Sequence, residues 1–236
     1  MLVTTIKTHK INPGENLQAI LDTYLLKLTT NNIIAISSKA VSICENNLVS
    51  KHINKTALVR QEADFCFAAP THYPDFCLTL KKHRLIPNAG IDASNHKTYV
   101  LLPKKPQLTA KKIWQYLRKQ HQLKNLGIII TDSNVTPLRN GVTGIAIGWC
   151  GFEPIYNYIG QKDIFGQPMQ VTTINLLDSL ATMATLAMGE GAEQTPLAII
   201  KNAPKINFLN RPPTQQEEQT TYLEKKYDLF SSAINT

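Results

Sequence analysis

Short apolar runs constrain the fold of this chain more than any other feature. The clearest is Leu-Gly-Ile-Ile-Ile-Thr at residues 126–131, and residues 32–36 and 197–200 are shorter runs of the same kind. A continuous apolar run of this length is typical of a strand that is buried on both faces of a sheet. The sequence therefore predicts a sheet with buried central strands.

Other segments repeat apolar residues at spacings of three and four, which is the pattern of an amphipathic helix. Helices are expected at residues 12–28, 110–122, 175–188 and from 214 to about 230, and residues 56–69 are expected to be helical as well. Asn12 and Thr109 are predicted N-caps, Gly189 a C-cap, and Thr214 with Glu217 a capping box. Further strands are expected at residues 2–6, 76–80, 98–102, 155–160 and 169–173, and within 42–55. The fold class that follows is mixed α+β.

Composition excludes several classes of protein. The chain has 236 residues, 43% of them apolar, and no apolar run approaches the roughly 18 residues of a membrane helix. The N-terminus lacks the pattern of a signal peptide, so a cytoplasmic location without membrane contact is expected. The four cysteines have no metal-ligand spacing. The formal charge is +8, but the basic residues are dispersed and no nucleic-acid-binding motif occurs, so small polyanionic ligands are expected rather than nucleic acid.

Oxygen-bearing side chains cluster in the Gly- and Pro-punctuated stretch at residues 87–95. Asp92, Ser94 and Asn95 lie within four positions, and hard cations such as Mg²⁺ prefer oxygen ligands. A surface turn is the alternative, because the same residue types form turns. A second acid, Asp132, follows the apolar run at 126–131, and acids at strand ends are where sheets of this kind collect ligands. These two acids together predict a metal site.

Two further segments have the residue types for binding phosphate. Ser38 and Lys39 follow a predicted strand and supply a hydroxyl and an ammonium group, with a solvated loop as the alternative. Glu190 lies in a glycine-bearing loop after the predicted helix at 175–188, with an ordinary connection as the alternative. Residues 137–148 are glycine-rich, but neither a dinucleotide-binding fingerprint nor a Walker A motif occurs in the chain.

Five ordered motifs make the chain resemble a known family. They are Asn-Ala-Gly-Ile-Asp-Ala-Ser-Asn at 88–95, Ile-Thr-Asp-Ser at 130–133, Arg-Asn-Gly-Val-Thr-Gly-Ile-Ala-Ile-Gly at 139–148, Gly-Gln-Lys-Asp-Ile-Phe-Gly at 160–166 and Met-Gly-Glu-Gly at 188–191. The chain resembles the CofE-type γ-glutamyl ligases, which add γ-linked glutamates to a deazaflavin coenzyme. The resemblance covers about residues 2–200.

The resemblance implies a mixed α+β fold of two intimately associated parts that forms an intertwined homodimer. We expect a nucleotide-binding core at residues 1–70 and 171–236, and an inserted metal and substrate domain at 71–170. It also implies an amide-bond-forming ligase that uses GTP or ATP. In such a reaction the acceptor carboxylate is activated as an acyl phosphate, which the amine of L-glutamate then attacks. Arg139 and Lys162 are candidates for binding substrate carboxylates, with a surface salt bridge as the alternative.

The matched motifs imply particular site residues. Two Mg²⁺ or Mn²⁺ sites are expected, one at Asp92 and Asp132 and one at Ser133 and Glu190, and K⁺ is considered as a further ion. The expected nucleotide contacts are His9, Lys10, Ile11, Asn12, Ser38, Lys39, Asn95, Met188, Gly189, Glu190, Gly191, Ala192, Glu193, Gln194 and Thr195. The expected catalytic set is Asp92, Asp132, Lys39 and Arg139.

Two departures from the family pattern bear on the acceptor. Ile43 stands where the family has a lysine, and residues 134–136 differ from the usual turn. We expect a folate-type acceptor, with the deazaflavin as a close second. A non-catalytic nucleotide sensor is the alternative of another class, although the three retained acids argue against it because carboxylates grouped without metal repel one another.

Overall fold

A five-stranded sheet lies at the centre of the computed structural model, which describes residues 1–67, 72, 76–95 and 97–232. The strands are β1 (Leu2–Ile6), β2 (Asn32–Ser37), β3 (Leu48–Ser50), β4 (Phe65–Cys66), β5 (Leu78–Lys81), β6 (Arg84–Pro87), β7 (Thr98–Val100), β8 (Leu126–Val135), β9 (Val142–Cys150), β10 (Ile155–Asn157), β11 (Thr173–Asn175) and β12 (Leu197–Lys201). The helices are α1 (Leu17–Tyr24), α2 (Ser38–Cys44), α3 (Lys55–Glu62), α4 (Pro106–Gln120), α5 (Leu176–Met188) and α6 (Gln215–Gln219). The mixed α+β class expected from the sequence is confirmed.

The central sheet has the strand order β1-β12-β2-β8-β9, in which only β2 and β8 run parallel. Residues 32–36 and 126–131 are buried throughout, as their continuous apolar runs predict. The sheet joins β8 and β9 to β1, β2 and β12. The expected division into residues 1–70 with 171–236 and residues 71–170 therefore crosses this sheet, and the domain boundaries stay a prediction.

Helices cover both faces of the central sheet. On one face, α1 and α4 contribute Leu21, Ile113 and Leu117 to the core, and on the other α5 contributes Leu180 and Ala184. Burying a side chain such as leucine stabilises the fold by about 1.5–3 kcal/mol. Each helix is thus held by its apolar face, and the ends of the loops between helix and strand are fixed relative to the sheet.

A smaller core lies beside the central sheet and contains α3, the pair β3–β7 and part of the three-stranded sheet β4-β5-β6. Leu58, Val59, Ala89, Ile91 and Leu101 form its buried cluster. Asp92 directly follows this cluster and is bridged to Val100 by two backbone hydrogen bonds of 2.9 Å. The packed core and the backbone bridge to Val100 therefore hold Asp92 in place. The expectation that Asp92 lies at the end of a strand is wrong.

The pairing of β8 with β9 contains a bulge. Ile130 pairs with Gly148 and Thr131 with Ala146, so Ile147 has no partner in the ladder. Beyond the bulge β8 continues to Val135, and Asp132 lies within the strand. The prediction that β8 ends at Thr131 is wrong, because the glycine-rich segment that had not been predicted to be a strand forms β9 and extends the ladder.

The first helix is shorter than predicted. Asn16, not Asn12, is its N-cap and accepts hydrogen bonds from Gln18 N and Ala19 N, and the helix ends at Tyr24. Glu15 accepts a hydrogen bond from Asn12 N at 2.9 Å, which is one of the two side-chain contacts of a capping box, but residues 13 and 14 form a turn that precedes the helix.

Other helix boundaries also differ from expectation. α4 begins at Pro106, and Thr109, the predicted cap, donates a hydrogen bond to Glu45 instead. The capping box at Thr214 is present, but α6 ends at Gln219 and does not reach residue 230. α2 was not predicted, and the helix predicted at 56–69 is present only as α3, which ends at Glu62. Residues 65 and 66 form β4 instead, and residues 68–69 lie outside the described residues. In the described part of the chain, no helix is long and apolar enough to cross a membrane. The expected cytoplasmic location stays a prediction.

Candidate active site

A cavity of about 650 Å³ opens where β2 and α2 meet β8, and it gathers most of the residues singled out in the sequence. The predicted residues that line it are His9, Lys10, Ile11, Asn12, Ser38, Lys39, Asp92, Asn95, Asp132, Ser133, Met188, Gly189, Glu190, Gly191, Glu193, Gln194 and Thr195. They come from five separate stretches of the chain. The sheet and its flanking loops therefore assemble one site from residues up to 186 positions apart.

Four residues singled out in the sequence do not line this cavity, namely Ser94, Arg139, Lys162 and Ala192, and all four are exposed. The unpredicted residues that do line it include Lys97 and Thr185. Lys97 is a cation close to the Gly- and Pro-punctuated stretch at 87–95, and Thr185 is a polar residue on the core side of α5. Both features are visible in the sequence, but a search for motifs overlooks them.

Asp92 and Lys39 form an ion pair on one wall of the cavity. Lys39 Nζ also donates to Ser94 Oγ at 2.8 Å, and Ser94 N donates to Asp92 Oδ1 at 2.6 Å. Burial raises the pKa of Asp92, but the hydrogen bonds from Lys39 and Ser94 and the charge of Lys39 outweigh burial and hold that pKa below its ordinary value. Asp92 is thus a carboxylate that is already matched with a cation.

The pKa of Asp132 shifts in the opposite direction to that of Asp92. Burial, together with the nearby charges of Glu190 and Asp92, raises its pKa to about 6, although hydrogen bonds from Ser38 Oγ and Ser133 N favour the charged form. The Ser38 bond is 2.6 Å long. Among the described residues, no cationic side chain forms an ion pair with Asp132.

The loop after α5 forms another wall and carries Glu190. The pKa of Glu190 lies above its ordinary value. Burial is the largest cause, the charge of Lys39 opposes it, and the charges of Asp92 and Glu193 add to it. Gly189 has a φ of +78°, which a side chain rarely adopts, and a Cβ there would collide with the Glu193 carboxylate. Glu193 accepts a hydrogen bond from Gly191 N at 2.8 Å and so folds back over the loop.

The segment before the first helix forms a third wall. His9 Nε2 lies 2.6 Å from Glu15 Oε1, and His9 Nδ1 and N both lie 2.8 Å from the Tyr24 hydroxyl. Thr8 N donates to Gln194 O at 3.0 Å. These contacts tie the segment to both α1 and the loop after α5, which fixes its backbone at the cavity.

The donors in the cavity fit a hard divalent cation in type and in charge. Asp92, Asp132, Glu190 and the Ser133 hydroxyl are oxygen donors, and the raised pKa of Asp132 shows negative charge that a bound cation would neutralise. Among the described residues, no three or more His, Cys, Asp or Glu side chains are gathered around one point. The set therefore fits Mg²⁺, which is usually held by one or two carboxylates together with substrate phosphates, better than an all-protein cage.

Comparison with known proteins identifies the family of this chain. The family described as F420-0:Gamma-glutamyl ligase matches residues 5–202. A relative from Methanococcus maripaludis, named coenzyme F420:L-glutamate ligase, is 32% identical over 82% of this chain and 84% of its own length.

Relatives of the same name from Methanocaldococcus jannaschii and Methanosarcina mazei are 40% and 43% identical. Their alignments cover 55% and 52% of this chain, and the chain spans 52% and 48% of their lengths. The family match includes every stretch that lines the cavity. The chain belongs to the F420-0:γ-glutamyl ligase family, a family of amide-bond-forming ligases.

Proposed function

We propose that the chain joins L-glutamate to the γ-carboxylate of a glutamyl acceptor of the deazaflavin coenzyme type, at the expense of GTP or ATP. The observation that carries this proposal is the single cavity in which Lys39, Asp92, Asp132 and Glu190 meet, in a member of this ligase family. The folate acceptor favoured by the sequence has no support among the relatives. Those reported are all named for coenzyme F420, so the deazaflavin takes its place.

The proposed reaction has two steps. A γ-carboxylate oxygen of the acceptor attacks the terminal phosphorus of the nucleotide, and the bond from that phosphorus to the bridging oxygen breaks to release the nucleoside diphosphate. The amine of L-glutamate then attacks the acyl carbon, inorganic phosphate leaves, and the amine loses a proton. Activation is needed because an amide does not form spontaneously from a carboxylate in water.

The residues of the cavity divide the work of holding charge. Lys39 and Ser38 are placed to donate to phosphate oxygens, and the backbone of residues 188–195 forms a wall for the nucleotide. Asp92 with Asp132, and Ser133 with Glu190, would hold the two divalent cations. Such cations would offset the negative charges of the nucleotide phosphates and of the acidic side chains.

We also propose that the chain acts as a homodimer. The segment around β10 and β11 exposes apolar side chains that a monomer would leave in water, namely Ile159, Ile164, Phe165 and Val171, and Leu186 of α5 is 77% exposed. Phe165 alone is 80% exposed. Exposed apolar side chains that are grouped in one segment, as the four of residues 159–171 are, usually mark an interaction site. Light scattering should give the mass of two chains, and Phe165→Asp should shift it toward one.

The proposed reaction is tested by incubating the protein with L-glutamate, a deazaflavin acceptor and GTP or ATP, in Mg²⁺ or Mn²⁺, and reading added glutamyl units by mass spectrometry. A reduced folate serves as the comparison acceptor. Asp92→Asn and Asp132→Asn should each lower turnover by more than about 100-fold, beyond the usual effect of residues that only support a metal ligand. Asp163→Asn, which removes the same charge from an exposed turn, should not.

Three outcomes would count against the proposal. Extension of the folate alone would reassign the acceptor. Tight nucleotide binding without any glutamyl transfer would favour the sensor. Near-normal turnover of either Asn variant at limiting metal would remove the two acids from the metal sites.

A further inference from the structure

A second cavity, of about 380 Å³, has a lining that shares no residue with that of the candidate active site. It is enclosed by the turn between β5 and β6, the segment before α4, the first turns of α4, and residues 218 and 222. We call it the basic cavity. Its positively charged lining residues are Lys82, Arg84, Lys104, Lys105 and Lys111, and its one negatively charged lining residue is Glu218.

The positive charge of the basic cavity is only partly balanced by nearby carboxylates. Asp64 accepts a hydrogen bond from Lys82 N, and Glu45 accepts one from Lys104 N at 2.9 Å. In the described part of the chain, none of its five cationic side chains forms an ion pair. Lys82 Nζ donates only to the carbonyl of Lys104, at 3.1 Å, and Glu218 accepts from the neutral amide of Gln107. Like charges placed together repel one another, so an anionic occupant would relieve this repulsion.

Arg84 is held in place at the wall of the basic cavity. Its guanidinium donates to Ile147 O at 3.2 Å, to the Tyr222 hydroxyl at 2.7 Å and to Lys82 O at 3.3 Å. It also lies 5.3 Å from the centre of the Tyr222 ring. An arginine side chain has five N–H groups, and these contacts use only some of them. The contacts also hold the guanidinium group in one orientation, so the side chain loses little conformational entropy when a ligand binds to the remaining N–H groups.

The start of α4 adds to the positive potential. This helix of 15 residues has no acidic residue in its first turn and no side-chain cap. The N-terminal end of a helix carries partial positive charge, which acidic residues usually balance. The lysines at this end add to that positive potential, an arrangement that is unfavourable for the helix itself and that a bound anion would relieve.

The basic cavity adjoins the candidate active site. Leu101 and Leu102 line the active-site cavity, whereas Lys104 and Lys105 line the basic cavity. Leu102 and Lys104 are two residues apart, so their Cα atoms are separated by at most about 7 Å. Residues 101–105 therefore contribute to the walls of both cavities.

We infer that the basic cavity binds the carboxylates of a γ-glutamyl chain attached to the acceptor or product. This inference rests on the proposed function, in which each turnover adds one glutamate and hence one further negative charge. Several mobile lysines suit a flexible series of carboxylates, and the fixed Arg84 offers a planar contact to one of them. Phosphates that are bridged by metal ions fit the active site, which is rich in acidic residues. The basic cavity is positively charged and therefore suits an anionic ligand that binds without metal.

The inference is tested by direct binding of tri-γ-glutamate, without nucleotide, measured by calorimetry at two salt concentrations. The variant Lys105→Gln/Lys111→Gln should bind about tenfold more weakly, the scale expected for two exposed charge contacts. The matched control is Lys112→Gln/Lys119→Gln, which removes two lysines from the same helix outside the basic cavity. The control should bind within about twofold of the wild type, since only the diffuse field of the protein changes.

Equal weakening in both double variants would show a diffuse charge effect and overturn the inference. It would also be overturned if the wild type did not bind tri-γ-glutamate, or if inorganic phosphate displaced it at equal concentration. Because no nucleotide is present, this measurement is independent of turnover. Glutamyl transfer without specific binding would refute only this inference, and binding without transfer would refute the proposed reaction.

Discussion

Replacing Asp132 by Asn should make the ligand-free protein more stable while it removes activity. The pKa of Asp132 rises from an ordinary 3.8 to about 6. Each pKa unit corresponds to about 1.4 kcal/mol, so keeping this carboxylate ionised costs at most about 3 kcal/mol near neutral pH. Because the side chain is only half-buried and the new amide needs an acceptor of its own, we expect a gain of about 1–2 kcal/mol.

The effect depends on pH in a defined direction. A folded pKa above the unfolded value means that the folded state binds more protons between the two values, so wild-type stability falls as pH rises from about 3.8 to 6. Asp132→Asn lacks this loss. Its advantage should therefore be absent below pH 3.8 and complete above pH 6.

The assay is thermal or chemical denaturation in a chelator. A gain of about 1–2 kcal/mol corresponds to a rise of a few degrees in Tm for a chain of this size. With Mg²⁺ and nucleotide at about 100 times Kd, the wild type should gain about 2.7 kcal/mol and the variant little, so the order reverses. A less stable Asp132→Asn in chelator would refute the reasoning, because it would show that the protein itself compensates the charge. Asp163→Asn controls for net charge.

Four further predictions concern stability, one for each of four variants, and denaturation in the chelator measures each. Glu217 has its pKa lowered to about 2 by Arg211 and Thr214, so its stabilisation is present above about pH 4.5 and lost as pH falls toward 2. Glu217→Gln should cost less than about 1 kcal/mol at pH 7, because the pair is at the surface, and nothing at pH 2. Thr182→Val removes a 2.8 Å hydrogen bond to the carbonyl of residue 144 and should cost about 1 kcal/mol. Thr185→Val removes a buried hydroxyl that has no partner among the described residues, so it should not destabilise. A Cβ at Gly144 would collide with the backbone of α5, so Gly144→Ala should cost about 1–3 kcal/mol or more. Equal losses for the two threonine variants, or a neutral Gly144→Ala, would contradict these contacts.

The central strands could be predicted because their signal is local. β2, β8 and β12 carry continuous apolar runs, and α5 has both its periodicity and its terminal Gly189. β9 could not be predicted in this way. Its glycines are where neighbouring elements approach closely, since Gly144 touches α5 and Gly148 the start of α4. A contact of that kind depends on packing between distant segments and leaves no periodicity in the sequence.

The candidate site was predictable as a set of residues but not as an arrangement. The motifs identified Asp92 and Asp132, yet only the fold shows that Lys39 pairs with the first and that the second has no ion-pair partner among the described residues. Arg139 illustrates the converse, because its motif matches the family and its position lies outside the cavity. Charge balance between residues of separate stretches depends on distances, which the order of motifs does not contain.

The unpaired Ile147 of β9 has a consequence for how this protein tolerates insertions and deletions. Ile145 and Ile147 pack on the α4 face of the sheet and Trp149 on the α5 face, so the extra residue reverses the alternation of side chains. The carbonyl of Ile147 also accepts a hydrogen bond from Arg84. Deleting one residue here would move the side chains of half of β9 to the opposite face of the sheet and would release Arg84 from this hydrogen bond. We expect substitutions in β9 to be tolerated far more readily than any change in its length.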